Sequence, residues 1–345
     1  MYPLVRNRLF KTDAETAHDA VIKWLKRFGR LPLLPRLVRT LYTVPDTNLK
    51  QELWGLTFEN PVGLAAGMDK TGDESLLGWQ AFGLGFLETG GFTLKGQPGN
   101  EKPRMHRIVA DEAIINRMGF NNPGAEKAAQ TLAYVKPRLR IPLFINVGKG
   151  KDTAIENAPK EYADIVEILW LCGDGFVLNV SSPNTLGLRA LQGKDFLRAV
   201  VQAVQDRTKR LPLGRHREPK PILVKVAPDL TDPELDDVLL VLTELRVSGV
   251  IATNTTIGRE GLSVPTDKAW GLSGPPLFPK SLRMVRYIHV KAPELPIIGC
   301  GGIRSLETAY QMRCAGARLL QLYTGLVYHG PRLVPTINRG LSCQL

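Results

Sequence analysis

Eight short runs of β-forming residues, separated by longer stretches with helical periodicity, constrain the fold of this chain more than any other feature. The runs are residues 62–66, 86–89, 143–147, 176–180, 222–226, 250–252, 297–299 and 319–323. Such alternation is typical of parallel strands joined by crossover helices. Eight parallel strands close into a barrel, and a chain of 345 residues with 43% hydrophobic residues can form one as a single domain. We therefore expect the α/β fold class and a (β/α)8 TIM barrel.

Polar residues and glycines directly follow the predicted strands. They are Asp69 and Lys70, Gly90 and Gly91, Gly148 and Lys149, Ser181 to Asn184, Pro228 and Asp229, Asn254 to Thr256, Gly301 and Gly302, and Thr324 and Gly325. Because the active sites of such barrels lie where the carboxyl ends of the strands meet their loops, one shared pocket is predicted. Asn146, Asn179 and Lys225 fall near the same end. The two longest interruptions, residues 90–140 and 253–296, are expected to cover the pocket.

Two glycine-containing turns and a lysine suggest that this pocket binds a phosphorylated, anionic group. Barrels often hold phosphate between the loops after strands 7 and 8, which here are residues 299–302 and 323–325. Ordinary tight turns are the alternative. Lys225 ends an apolar strand, so its ammonium must reach water or meet an anion. A reduced flavin would be such an anion, and a barrel carboxylate is the alternative. Lys70, at the end of strand 1, is either a second cofactor contact or a surface lysine.

Amide side chains recur at the same end of the barrel. Asn116, Asn179, Asn184 and Asn254, together with Thr255, fall in loops or at strand ends. Asparagine offers both a donor and an acceptor, which suits a substrate with amide and carboxylate edges. A single asparagine in a loop is more often a turn residue, so their convergence is the feature that matters.

Ser182 is the candidate catalytic residue. The following Pro183 restricts its backbone to an extended conformation, which can hold the hydroxyl in one direction. A serine hydroxyl is a poor base alone, so a water relay or a charge-stabilising partner would be needed. Histidine is absent from the neighbouring sequence, which argues against a catalytic triad.

The N-terminal segment is a separate electrostatic unit. Residues 1–50 carry ten Lys or Arg and four acids, in a chain of net charge +12. Thr12 and Glu15 form a predicted capping box for an amphipathic helix that Gly29 ends, and a second helix follows over residues 34–41. These helices either pack on the barrel, for example at its bottom, or lie as a basic, apolar hairpin among lipid headgroups.

Other classes of function are disfavoured by composition. The four cysteines, Cys172, Cys300, Cys314 and Cys343, form no C-x-x-C pair, which argues against a zinc site or an iron–sulfur cluster. No metal is therefore expected. Apolar runs are too short for a membrane span. The basic residues are not interleaved with aromatics, so nucleic-acid binding is not expected.

Seven blocks in order resemble the class 2 dihydroorotate dehydrogenases, the membrane-associated, quinone-dependent branch of that family. They are GLAAGMDK (63–70), NRMGFNN (116–122), NVSSPNT (179–185), KVAPDL (225–230), IATNTT (251–256), GLSGPPL (271–277) and IIGCGGI (297–303). Class 1 enzymes look similar but carry cysteine at the position of Ser182 and lack the N-terminal helices. Ser182 and the N-terminal helices of this chain are both typical of class 2.

The resemblance implies oxidation of dihydroorotate to orotate in pyrimidine biosynthesis, with FMN as hydride acceptor and a membrane quinone as final electron acceptor. Ser182 would remove the C5 proton while a hydride passes from C6 to flavin N5. The residues implied for the substrate are Lys70, Asn116, Arg117, Met118, Gly119, Phe120, Asn179, Asn184, Asn254 and Thr255. Those implied for FMN are Ala66, Gly67, Met68, Asp69, Lys70, Gly91, Asn146, Asn179, Lys225, Thr253, Gly274, Gly302, Tyr323 and Thr324.

The resemblance also implies an organisation and a location. Residues 1–45 would form a helical hairpin for membrane and quinone access, and residues 46–345 the barrel that binds FMN and substrate. A monomer attached peripherally to the cytoplasmic side of the cell membrane is expected. The alternative function is that of another FMN-dependent barrel oxidoreductase or isomerase, acting on a different small anionic substrate.

Three positions depart from the family pattern. Gly91 stands where the family usually has a threonine, so a hydroxyl near FMN is missing. Leu186 replaces the proline that follows SSPNT, which affects the loop over the substrate. The usual proline and arginine before Ala17 and His18 are absent, which affects the quinone contact.

Overall fold

The structure, a computed structural model, describes residues 2–184, 188–213, 218–263, 265–266 and 268–343. Within them the strands are β1 (Gln51–Leu53), β2 (Leu56–Phe58), β3 (Val62–Leu64), β4 (Phe86–Phe92), β5 (Lys95–Gln97), β6 (Met105–Ile108), β7 (Ala113–Asn116), β8 (Asn122–Gly124), β9 (Leu143–Val147), β10 (Gly175–Asn179), β11 (Ile222–Val226), β12 (Gly249–Ala252), β13 (Gly271–Ser273), β14 (Ile297–Cys300) and β15 (Leu319–Leu322). Leu186, one of the departures from the family pattern, lies outside the described residues.

Helices cover the outside of the sheet. Over the same described ranges they are α1 (Tyr2–Leu9), α2 (Ala14–Gly29), α3 (Leu34–Tyr42), α4 (Ser75–Trp79), α5 (Ala125–Val135), α6 (Ala158–Leu169), α7 (Lys194–Thr208), α8 (Asp232–Glu244), α9 (Phe278–Lys291), α10 (Leu306–Cys314), α11 (Thr324–His329) and α12 (Leu333–Ser342).

The predicted TIM barrel is confirmed. Strands β3, β4, β9, β10, β11, β12, β14 and β15 pair in that order, all parallel, and β15 closes on β3. Each coincides with one of the eight predicted runs to within a few residues. The strands are buried on both faces, one by the barrel interior and one by the helices, so they are mainly apolar, with a few buried polar residues.

A β-hairpin closes the bottom of the barrel. β1 and β2 pair antiparallel, and the fully buried Phe58 of β2 packs against Phe86 and Phe144 inside the barrel, with ring centroids 5.6 and 6.3 Å away. Trp54, at the hairpin turn, joins the same cluster. The hairpin fills the barrel interior at this end, and the N-terminal helices pack on the outside of the barrel, which was one of the alternatives for them.

The two long interruptions meet over the opposite end of the barrel, as predicted. β6 and β7 come from the first interruption, and β13 from the second pairs antiparallel with β7. The register places Asn116 opposite Gly271. This small sheet forms one wall of a cavity at the carboxyl ends of the barrel strands.

The N-terminal segment packs on the outside of the barrel, and the start of α2 lies beside this open end. α2 buries Ala17, Leu25 and Phe28 and lies along α4. Lys26 of α2 donates to Asp73 at 2.8 Å, and the Arg30 guanidinium donates to Glu74 at 2.9 Å. Ion pairs thus fix α2 to the loop that follows β3. Every helix in the described part of the chain falls short of the length and hydrophobicity needed to span a bilayer.

Two details of this segment differ from the prediction. The N-cap of α2 is Asp13, whose carboxylate accepts from the backbone of Glu15 and Thr16, so the predicted Thr12 capping box is wrong. A carboxylate near the positive helix terminus explains the preference. The additional helix α1 precedes α2 and is held by the Tyr2 hydroxyl, which donates to the Val327 carbonyl at 2.6 Å.

Candidate active site

A single cavity lies at the carboxyl ends of the barrel strands. Its volume is about 160 Å³. The predicted site residues that line it are Ala66, Gly67, Lys70, Gly91, Asn116, Met118, Gly119, Phe120, Asn179, Ser182, Asn184, Lys225, Thr253, Asn254, Thr255, Gly274, Gly302, Tyr323 and Thr324. Segments far apart in the sequence therefore meet at one site.

Four predicted site residues do not line this cavity. Met68 is buried in the hydrophobic core. Asp69 is also buried, and its carboxylate accepts from the Thr71 and Gly72 N–H groups and the Ser75 hydroxyl, while burial raises its pKa. The Arg117 guanidinium lies 4.7 Å above the Trp270 ring instead. Asn146 is fully buried, and its side-chain carbonyl oxygen accepts from Asn179, which does line the cavity.

The turn after β14 presents unpaired backbone donors. Within the described residues, the N–H groups of Gly301, Gly302 and Ile303 donate no hydrogen bond. A Cβ at Gly302 would lie 2.5 Å from the Phe278 Cβ and 2.9 Å from the Gly274 carbonyl oxygen, so only glycine fits. Consecutive free N–H groups in a glycine turn are an arrangement that binds phosphate.

A buried ion pair lies at the floor of the cavity. The Lys225 ammonium is 3.5 Å from a carboxylate oxygen of Glu88, and both side chains are almost completely buried. Gln321 and Asn146 each donate an amide hydrogen bond to Glu88 at 2.6 Å. The sequence left open whether Lys225 meets a flavin or a barrel carboxylate. Lys225 has a carboxylate partner in Glu88, and it also lines the cavity. The carbonyl oxygen of Gln321 is buried without a donor.

A chain of amides connects this floor to the wall of the cavity. The side-chain amide of Asn179 donates to the side-chain carbonyl oxygen of Asn146 at 3.1 Å, and the side-chain amide of Asn254 donates to the side-chain carbonyl oxygen of Asn179 at 3.2 Å. Across the mouth, Asn184 donates to Asn116 at 3.3 Å. These contacts fix the orientation of the four amide groups that line the cavity, which are those of Asn116, Asn179, Asn184 and Asn254.

The structure distinguishes the two adjacent serines. The Ser181 hydroxyl is fully buried, donates to Asn179 at 3.1 Å and accepts from Asn254 at 3.0 Å. Ser182 lines the cavity, and its hydroxyl oxygen accepts only from the Asn184 N–H at 3.3 Å within the described residues. The Ser182 oxygen is thus the one that can contact a ligand in the cavity.

Lys70 lies between two cavities. It lines the central cavity and also a second space of about 310 Å³ beside α2, whose walls include Glu15, His18 and Arg104. Burial lowers the pKa of Lys70 to about 8. The nearby Lys70 charge, added to burial, lowers the pKa of His18.

Three contributing residues were missed from the sequence. Glu88 and Gln321 form the floor network described above. Arg189 donates to the backbone carbonyls of Ser181 and Thr255 at 3.3 and 3.2 Å, so it joins two loops of the cavity. A charged or amide residue inside an apolar strand was an available signal for Glu88 and Gln321, as it was for Lys225. For Arg189 the sequence held no comparable signal.

A side chain at Gly91 would be crowded in this structure. A Cβ at this position would lie 2.7 Å from both the Asn146 carbonyl oxygen and the Phe120 ring. The Phe120 ring therefore occupies the space that a larger side chain at position 91 would need. A threonine there would displace the ring or break the hydrogen bond that Asn146 receives from Asn179.

Comparisons with known proteins agree on one family. The family model described as dihydroorotate dehydrogenase matches residues 48–345. The chain is 45% identical to a dihydroorotate dehydrogenase (quinone) of Chloroflexus aurantiacus, over 97% of this chain and 93% of that protein. It is also 45% identical to the Deinococcus radiodurans protein of that name, over 99% and 95%. A crystal structure of the Eimeria tenella enzyme in complex with ferulenol superposes with a TM-score of 0.85 at 37% identity, covering 95% of this chain and 90% of that one.

Proposed function

This chain belongs to the dihydroorotate dehydrogenase family, and on that premise we propose that it oxidises dihydroorotate to orotate in pyrimidine biosynthesis, with a quinone as final electron acceptor. One observation carries the proposal beyond family membership. A single cavity is lined by a glycine turn with free N–H groups, a set of fixed amides and the hydroxyl of Ser182. Oxidation of a cyclic amide that carries a carboxylate needs these groups together.

The family is flavin-dependent, and we propose FMN as the flavin. The turn at Gly301 and Gly302 supplies donors for one phosphate, and the unpaired carbonyl oxygen of Gln321 can accept from a ring N–H. Lys225 would place a positive charge beside the flavin ring. Bound FMN would supply the hydride acceptor, since none of the protein side chains is one.

The protein's own residues would bind the substrate and move its proton. Asn116, Asn179, Asn184 and Asn254 offer amide donors and acceptors for the ring of dihydroorotate, and the Lys70 ammonium is a partner for its carboxylate. Ser182 would accept the C5 proton while passing its own hydroxyl proton to a water relay, since a serine hydroxyl is a poor base alone. Its neighbour Asn184 donates to the same hydroxyl oxygen and orients it.

We expect the absorbance of the purified protein to show a flavin band that dihydroorotate bleaches and a quinone restores. Bleaching reports the reductive half-reaction and recovery reports the oxidative one, so the two are tested separately. Identification of the released flavin as FMN tests the cofactor. A band that responds to another small anionic substrate, and not to dihydroorotate, would favour a different FMN-dependent barrel enzyme.

We propose that residues 1–45 provide quinone access and contact the membrane. The space of about 310 Å³ beside α2 adjoins the central cavity at Lys70, which makes it a route for a quinone headgroup. Among the described residues, eight of the 17 exposed large hydrophobic side chains lie in α1 to α3 and the turn between α2 and α3. We propose that this surface rests on the cytoplasmic side of the cell membrane, with the enzyme as a monomer. A surface this rich in exposed apolar groups is typical of a membrane contact.

The affinity for orotate should fall above pH 8. Burial lowers the pKa of Lys70 to about 8, so the ammonium is charged below this pH and neutral above it. Because its charged fraction falls from about one half at pH 8 to about one tenth at pH 9, we expect orotate affinity to fall by up to about fivefold between these pH values. Titration of the holoenzyme with orotate across this range measures the effect.

Two variants of Lys70 serve as controls for this pH dependence. Lys70→Arg keeps its charge throughout the range, so its affinity should stay level. Lys70→Met should bind orotate weakly at every pH. A pH step that persists in Lys70→Met would assign the titration to another group.

A further inference from the structure

A groove rich in arginine lies between α3 and the loop that precedes β9. Its volume is about 960 Å³. Five arginines line it and no acidic residue does; they are Arg30, Arg36, Arg39, Arg138 and Arg140. We call this set the arginine groove. It shares no lining residue with the central cavity or with the space beside α2.

Most of this positive charge is not neutralised by the protein. Arg30 pairs with Glu74 at 2.9 Å. Within the described residues, no carboxylate oxygen lies within the 4.0 Å of an ion pair from the other four arginines of the groove. Arg138 instead lies over the Tyr134 ring at 5.2 Å, and the side chain of Arg140 has no hydrogen-bond acceptor among those residues. Such a concentration of cations calls for an anion from outside.

Arg39 gives a second, independent indication of an anion. One terminal nitrogen of its guanidinium is buried and has no hydrogen-bond partner. Burial lowers the pKa of Arg39, and the nearby Arg140 lowers it further, although Glu59 acts in the opposite direction. A buried donor without an acceptor is costly, and the cost would be offset by an anion bound between the two guanidinium groups.

The groove borders an apolar surface. On α3, Arg36, Arg39 and Thr40 face the groove. Leu31, which also lines the groove, is 46% exposed, and the opposite face of α3 carries Leu34, Leu37 and Leu41, whose side chains are 46 to 67% exposed. Leu33, at the entrance of the groove, is 71% exposed. A molecule that fits both surfaces must combine an anionic head with long apolar chains.

We propose that the arginine groove binds the phosphodiester headgroup of an anionic phospholipid, with the acyl chains leaving the groove past the exposed Leu31 and Leu33. This inference rests on the proposed membrane contact and specifies its lipid partner. Guanidinium groups bind phosphate oxygens through paired hydrogen bonds. Zwitterionic lipid carries the same phosphate, so the selectivity comes from the net positive charge of the groove, which repels the ammonium group of a zwitterionic headgroup. The groove would also set the orientation of the space beside α2 relative to the membrane.

The double variant Arg39→Gln/Arg140→Gln tests the proposal in the holoenzyme. The matched control is Arg210→Gln/Arg286→Gln, which removes the same charge from exposed arginines outside the groove. Binding is measured to vesicles of phosphatidylglycerol and phosphatidylcholine in equal amounts, and to vesicles of phosphatidylcholine alone. We expect the groove variant to lose at least about tenfold in affinity for the anionic vesicles, and the control to lose much less.

Further measurements separate the alternatives. Neither double variant should lose thermal stability or dihydroorotate oxidation with a water-soluble acceptor, because the groove arginines contact no part of the central cavity. An equal loss of affinity for the anionic vesicles in both double variants would show that only the net charge of the protein matters, and it would overturn the proposal. Suppression of vesicle binding by glycerol phosphate at a matched headgroup concentration would also overturn it, since the site would then be one for soluble phosphate.

Failure of the membrane contact itself would look different. Leu37→Ser/Leu41→Ser removes apolar area and should weaken binding to both kinds of vesicle. If the wild-type protein bound neither kind, the proposed membrane contact would fail and the arginine groove with it. If the wild-type protein bound anionic vesicles and the groove variant bound them equally well, only the present inference would fail.

Discussion

Replacement of Ser182 by alanine should slow the bleaching of the bound flavin by dihydroorotate by about 10²- to 10⁴-fold, the usual contribution of a positioned general base. Ser182 lines the cavity, and its hydroxyl oxygen has a single hydrogen-bond donor among the described residues, the Asn184 N–H. Stopped-flow absorbance at the flavin band measures the rate directly. The flavin content should remain that of the wild-type protein, because no phosphate-binding group is altered.

The adjacent serine provides the matched control. Ser181→Ala removes the same atom one residue away, but from a hydroxyl that is fully buried between Asn179 and Asn254. Its main effect should be on the position of those amides and therefore on substrate affinity. If Ser182→Ala bleached at the wild-type rate, or if Ser181→Ala were the slower of the two, Ser182 would be excluded as the base.

The barrel was predictable because of where its strands lie. Strands that are buried on both faces form continuous apolar runs, and Ile222–Val226 is such a run, interrupted by a single lysine. Once the strands are located, their carboxyl ends follow, and so does the predicted convergence of Asn254 with Lys225. The β-hairpin at residues 51–58 was not predicted, because two strands of three residues carry little periodicity.

Side-chain direction was harder to predict than position. Asp69 follows a barrel strand as the neighbouring site residues do, yet its carboxylate points into its own turn and accepts from Gly72 at 2.9 Å. Ser181 and Ser182 are likewise adjacent and face different surroundings. The backbone dihedral angles of consecutive residues decide whether a side chain points into the cavity. These angles depend on tertiary contacts that cannot be deduced from a single sequence.

The contact between Lys225 and Glu88, which are far apart in the sequence, could not be predicted either. Each residue interrupts an apolar strand, which marks both as exceptional. The strands that carry them, β4 and β11, are not neighbours in the barrel, so strand order alone does not bring them together. Their contact across the interior depends on side-chain length and on the hydrogen bonds from Asn146 and Gln321.

Removal of either partner of this ion pair should strongly destabilise the protein, whereas removal of both should cost less than the sum. Lys225→Met leaves a buried carboxylate without its cation, and Glu88→Gln leaves a buried ammonium without its anion. Each single variant should lose about 3–5 kcal/mol in the free energy of unfolding. The double variant buries no charge, so its loss should fall short of additivity by at least about 1 kcal/mol. Denaturant unfolding of all four proteins measures this coupling.

The midpoint potential of the bound flavin separates a functional role of the pair from a structural one. Glu88→Gln keeps the ammonium of Lys225 and removes the charge that opposes it, so the reduced, anionic flavin should be favoured and the potential should rise. Lys225→Met keeps the carboxylate and removes the cation, so the potential should fall. If the pair contributed only to packing, the two variants would not be expected to shift the midpoint potential in opposite directions. Shifts in the same direction in both variants would show that the charge of Lys225 does not act on the flavin, whatever the pair contributes to stability.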